Sequence, residues 1–114
     1  MDLRLKLIMT NFKRGDVVLA DLGYLAKVRP ALVVSISKAD SQRNMTVIAP
    51  LTTEIRDGEC EVAFPKPAWL KQDCVVNLIG LIGVDNAKIL RRLSAFPGDM
   101  ADVDQGLKRL FDLP

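Results

Sequence analysis

Apolar residues in this chain fall into short runs, separated by turn-forming residues roughly every ten positions, which is the spacing of a small antiparallel β protein. "DVVLADL" begins after Gly15 and ends at Gly23. "ALVVSIS" is entered through Pro30, whose missing backbone donor suits the first position of a strand. "MTVIAPL" follows, ended by Pro50, and "ECEVAF" alternates Cys60, Val62 and Phe64 onto one face. "CVVNLIGLIGV" reads as a long strand interrupted by Gly80 and Gly83, where glycine signals a bulge or a close backbone approach. The period then changes. "NAKILRRL", 86–93, sets Ile89, Leu90 and Leu93 on one helical face and Lys88, Arg91 and Arg92 on another, predicting a short helix. Beyond Pro97-Gly98, Asp99 is placed to cap a terminal helix bearing Met100, Val103, Leu107, Leu110 and Phe111 at helical spacing. Gly106 inside that helix costs about 1 kcal/mol relative to alanine.

The 114 residues make one domain with one core. Two readings of residues 1–11 stay open: Met9 opens the chain proper, or "LRLKLI" adds an edge strand. No apolar run spans a membrane, and the alternating N-terminus lacks the pattern of a signal peptide. We therefore expect a cytoplasmic protein with Cys60 and Cys74 reduced in its core. Net charge is only +2, so affinity for an anionic partner has to come from clustered basic residues. The absence of histidine excludes a Ser-His-Asp triad, a Cys-His pair and ordinary zinc sites.

Two constellations have chemical potential. In "KVRPALVVS", Pro30 biases Arg29 toward an extended backbone, and the apolar run behind anchors it. A guanidinium so held matches phosphate oxygens in a bidentate way, with Lys27 close by. In "APLTTEIR" a strand end presents Thr52 and Thr53, with Arg56 adding positive charge. The ordinary role for such hydroxyls is a turn or cap. "KRGD", residues 13–16, reads as the turn opening the first strand. Trp69, Tyr24 and the phenylalanines are too few and scattered for a base-stacking platform, and most are expected in the core.

"KRGDVVLADLG" (13–23), "RPALVVS" (29–35), "TVIAPLTT" (46–53), "GVD" (83–85) and a terminal helix occur in an order that resembles the MazF/PemK toxins of toxin–antitoxin systems. That resemblance implies an SH3-like barrel of short antiparallel strands with short helices, usually a homodimer. It implies a metal-independent endoribonuclease that cuts single-stranded RNA at short sequences, needs no cofactor, and leaves a 2′,3′-cyclic phosphate and a 5′-hydroxyl. Arg29 and Thr52 match the catalytic pair; Lys27, Thr53, Arg56 and Asp85 are the further RNA-binding candidates. DNA, lacking the 2′-hydroxyl, is expected to bind without being cut. The implied partner is an antitoxin with an acidic, disordered tail.

Two departures from the family pattern are visible. The segment from Asp21 to Arg29 is short, and Ile82 stands where some members have an arginine. They motivate two alternatives: a non-catalytic nucleic-acid-binding or regulatory domain, and a protein-binding gyrase poison on the same barrel.

Overall fold

A computed structural model describes residues 12–23, 27–36 and 44–114. Met9, "LRLKLI" and Tyr24 lie outside the described residues, as does part of the segment from Asp21 to Arg29. The order is β1 (Asp16–Asp21), β2 (Val28–Val33), β3 (Met45–Thr52), β4 (Glu61–Phe64), β5 (Cys74–Asn77), a 3₁₀ turn (Leu78–Gly80), β6 (Ile82–Asp85), a second 3₁₀ turn (Asn86–Lys88), β7 (Ile89–Ala95) and helix α1 (Met100–Leu110). The strands are antiparallel and pair in the order β4-β5-β3-β2-β1-β7, with β6 also on β3. Among the described residues this path is open, so hydrogen bonding does not close the expected barrel; the mainly β fold with a C-terminal helix is as expected.

Period-2 alternation divides the apolar runs between two clusters. Val17, Leu32, Ala49 and Leu51 join Val62, Phe64, Val76, Leu78 and Val103 in one. Their strand neighbours Val18, Ala31, Val33 and Ile48 join Phe12, Val84 and Ile89 in the other. Burial on both faces is why β1 and β2 read as continuous rather than alternating apolar stretches. The "KRGD" turn is structural. Gly15 takes φ +93°, and the buried Asp16 carboxylate accepts the Lys13 backbone N–H at 2.9 Å and the Arg92 Nε–H at 2.9 Å.

Three expectations need correction. Residues 86–93 form a 3₁₀ turn and then β7, not a helix. β7 pairs with β1 through two register shifts, and these irregularities break the alternation that would have marked a strand. The open edge of β1 outweighs a weak helical spacing. Pro30 is the third residue of β2 rather than its first. Gly106 is required by packing, because a Cβ there would overlap the Cδ1 of fully buried Leu78.

The long strand is broken into two at Gly80, but not at Gly83, which pairs in regular register with Val47 inside β6. β5 and β6 both run antiparallel to β3, one on its Leu51–Thr52 end and the other on its Met45–Ile48 end, with the first 3₁₀ turn between them. Gly80 is the close approach: a Cβ would stand 3.0 Å from both Pro50 Cγ and Asn77 Nδ2. α1 starts where expected, with Asp99 accepting the Ala101 N–H at 2.9 Å. Cys60 and Cys74 are free thiols, half-buried and buried respectively. No helix among the described residues is long and apolar enough to cross a membrane.

Candidate active site

The β2–β3 ladder positions the site. Gly15 donates to the Val33 carbonyl and Val34 donates to Val47, so even-numbered residues of β2 turn their amide groups toward β3. Pro30 is therefore aligned to donate to β3 and has no proton with which to do so. Pairing ends at Ala31 opposite Pro50, and β3 continues along β5 instead, Leu51 opposite Val76 and Thr52 opposite Val75. Extending the β2–β3 register by two residues sets Arg29 against Thr52. The strands part between them, and a cleft of about 430 Å³ opens, lined by Leu22, Arg29, Pro30, Pro50, Thr52 and Thr53 with Leu70, Cys74 and Asn77.

Arg29 is exposed at the lip of this cleft, and Thr52 is half-buried in its wall. The Thr52 hydroxyl accepts the Glu54 N–H at 3.0 Å. The local turn expected of such a hydroxyl is thus formed, and it leaves the O–H proton available to an anion in the cleft. Lys27 directly precedes β2, in the left-handed region at φ 57°, where its N–H and carbonyl close the β1–β2 turn on Gly23 and Leu22. Burial pushes the Cys74 thiol above its ordinary value, with Asp73 adding to the shift, so the thiol in the cleft wall stays protonated.

The remaining candidates lie elsewhere. Arg56 lines a neighbouring cleft of about 560 Å³ together with Glu54, Glu59 and Glu61. Its guanidinium pairs with Glu54 at 3.1 Å, and its backbone N–H meets the Glu61 carboxylate. That larger cleft is acidic and unsuited to a phosphate. The positive charge expected beside the threonines is largely offset. Asp85 is opposite Met45, at the far end of β3 from Thr52, and caps the second 3₁₀ turn by accepting the Ala87 N–H at 2.9 Å. The structure brings Arg29, Thr52 and Thr53 into one cleft, sets Arg56 on the acidic cleft at the other side of Thr52, and keeps Asp85 apart from both.

Sequence reasoning missed Asn77. It ends β5 and lines both clefts, touching the surface where Thr52 stands. The available signal was a lone amide closing the buried run "CVV". Most of the aromatic residues were expected in the core, and Trp69 is 39% exposed.

Residues 13–111 match the family model described as PemK-like, MazF-like toxin of type II toxin–antitoxin system. Endoribonuclease MazF6 of Mycobacterium tuberculosis and endoribonuclease MazF2 of Mycobacterium bovis are each 30% identical over 113 residues, covering 88% of this chain and 96% of theirs. Among solved structures, the Mycobacterium tuberculosis toxin MazF-mt6 superposes with a TM-score of 0.75 at 21% identity, over 87% of this chain and 98% of that one. A mycobacterial endoribonuclease in complex with its cognate antitoxin gives 0.72 at 25% identity, over 90% and 97%. The chain belongs to the PemK-like, MazF-like family of toxins of type II toxin–antitoxin systems.

Proposed function

We propose that this protein is an endoribonuclease toxin that cuts single-stranded RNA at short sequences, without metal, in the cytoplasm. The observation that carries this reading is the single cleft shared by Arg29 and Thr52. RNA brings its own nucleophile, so the protein has to align the 2′-hydroxyl with the scissile phosphorus and stabilise charge as the phosphorane forms. The 2′-oxygen bonds to phosphorus as the P–O5′ bond breaks. The 2′-hydroxyl loses its proton and the departing 5′-oxygen gains one, giving a 2′,3′-cyclic phosphate and a 5′-hydroxyl.

In this reading Arg29 neutralises the non-bridging oxygens, and Thr52 donates its O–H to the same phosphate. Its orientation is already set by the Glu54 N–H. Thr53 and Lys27 contact the strand on either side. Asn77, whose amide can both donate and accept, is suited to a base edge in the cleft. No metal is needed for charge neutralisation that a guanidinium supplies.

A protein-binding role has less support. A cleft of about 430 Å³ with arginine and hydroxyl on neighbouring strands is not what a flat protein interface requires. The relative solved with its cognate antitoxin supports extending such a partner to this chain. An acidic, disordered tail would compete with RNA for Arg29 and Lys27, both interactions weakening with salt. Exposed Ile79 and Ile82 suit a second copy, giving the expected homodimer.

The test is incubation of purified protein with a long messenger RNA in EDTA. Discrete fragments with 5′-hydroxyl ends are expected, and none from Arg29→Ala prepared in parallel. Identical patterns from both proteins would mark the cleavage as contamination and end the assignment.

A further inference from the structure

The Arg29 cleft does not stop at Pro30. Pro30 and Leu70 also line an adjoining hollow of about 380 Å³, whose other walls are Leu19, Trp69, Arg91 and Leu93. Strand register explains the continuity. Leu19 of β1 is opposite Pro30 of β2 and also opposite Arg91 of β7, so the three form one rung across three strands. At the usual strand separation, Arg91 is about 10 Å from Pro30. A nucleotide next to the one cut covers that reach.

The hollow offers the two groups that bind single strands without bonding to base edges: a cation and an exposed aromatic face. Arg91 is exposed, and its guanidinium has no hydrogen-bond or ion-pair partner among the described residues. The neighbouring Arg92, by contrast, is committed to Asp16. Trp69 sits in a turn closed by the Leu70 N–H on the Pro67 carbonyl at 3.1 Å. Its indole meets Phe64 edge-on, with centroids 6.0 Å apart, and Phe64 is packed in turn on Phe96. One edge of the ring is held by the core while 39% of the residue remains exposed. A ring so fixed loses little freedom when a base stacks on it.

We infer that the Trp69–Arg91 hollow is a second RNA subsite, in which a base flanking the scissile phosphate stacks on Trp69 and its phosphate meets Arg91. This rests on the nuclease reading above. It assigns affinity for the flanking nucleotide to β7 and the β4–β5 turn, and leaves bond cleavage to Arg29 and Thr52.

Trp69 is the sole tryptophan, so its fluorescence reports directly on the subsite. The probe is an oligonucleotide of the cleaved sequence with 2′-deoxyribose at the scissile position, which removes the nucleophile. Saturable quenching of wild-type fluorescence is expected. On the all-RNA substrate, Trp69→Ala should raise KM about ten-fold with kcat little changed, the pattern of lost uniform binding. Trp69→Phe should recover most of the loss. Arg91→Ala should reduce the slope of log affinity against log salt by about 0.7, one phosphate contact on a single strand. Lys108→Ala, which removes a charge from α1, should leave KM as it is. The gap between wild type and Trp69→Ala should close on a substrate shortened from one end.

Unquenched fluorescence, with wild-type KM in both variants while Arg29→Ala is inactive, overturns the subsite and leaves the nuclease standing. A wild-type protein that cuts no RNA removes the nuclease reading and the subsite with it. If fluorescence changes with protein concentration alone, and Trp69→Ala breaks a dimer in gel filtration, the hollow is an interface between copies and the inference is overturned.

Discussion

Arg29 and Thr52 owe their meeting to a residue that does no chemistry. Pro30 cannot donate where the β2–β3 ladder needs a proton, so the strands separate two residues short of the register position that pairs Arg29 with Thr52. Replacing Arg29 by alanine is expected to lower kcat/KM for RNA by about 10²–10³, the cost of losing one preorganised charge-stabilising group. Lysine should recover little, because a single ammonium cannot reproduce the bidentate fork. Thr52→Ser should keep most activity and Thr52→Val lose it, read by the initial rate on one RNA. The aspartate of "KRGD" makes a contrasting case. Its buried carboxylate is satisfied by the Lys13 backbone and Arg92, so Asp16→Ala should destabilise the fold by about 1–3 kcal/mol in urea titration. On the proposed reading, residues of equal prominence in the sequence thus divide into chemistry and scaffold according to what surrounds them.

Helix α1 and the first 3₁₀ turn are fitted to one another. Val103, Leu107 and Leu110 pack on the cluster containing Leu78, and Gly106 lets the helix backbone down onto that leucine. Helix propensity alone favours Gly106→Ala by about 1 kcal/mol. The opposite sign is expected, a net loss of about 1–2 kcal/mol, because the new methyl would occupy the space of Leu78 Cδ1. Combining Gly106→Ala with Leu78→Ala should give a smaller loss than the sum of the two, and a double-mutant cycle in urea measures that coupling. Loss of the Asp99 cap should cost about 1 kcal/mol and leave the cleft unchanged.

Over the whole molecule, charge is nearly balanced at +2, so local arrangement sets what it binds. The acidic cleft beside Thr52 and the Arg29 cleft share a wall at Thr52 and Asn77 while differing in sign, a difference that on the proposed nuclease reading would orient an incoming strand. The buried Cys74 thiol gives the fold a pH dependence of known direction. Its folded pKa is raised, so the folded state favours the thiol. Stability from this group is fully present below the ordinary thiol value of about 8.5 and is lost as pH rises through the higher folded value. Thermal melts should fall as pH rises from about 8.5 through that folded value, and the fall should shrink in Cys74→Ala. Near pH 8, iodoacetamide should label half-buried Cys60 before Cys74.

The short apolar runs, the Pro and Gly breaks between them and the cap at Asp99 are local properties, and they were sufficient to reveal β1 to β4, the stretch that holds β5 and β6, and α1. Arg29 and Thr52 were legible because each lies in a motif whose backbone preference is local. The register that opposes them was not legible, nor was the identity of 89–95 as a strand. Both depend on which edge a segment pairs with, and only the closed set of neighbours decides that. Asn77 was not singled out, Trp69 was read as too scattered to stack a base and Arg91 as the face of a helix, for the same reason: what an amide, an indole or a guanidinium can do depends on the hollow it faces, and hollows are made by strands distant in sequence. Composition and periodicity determine which faces bury; the tertiary arrangement alone determines which exposed groups look at one another.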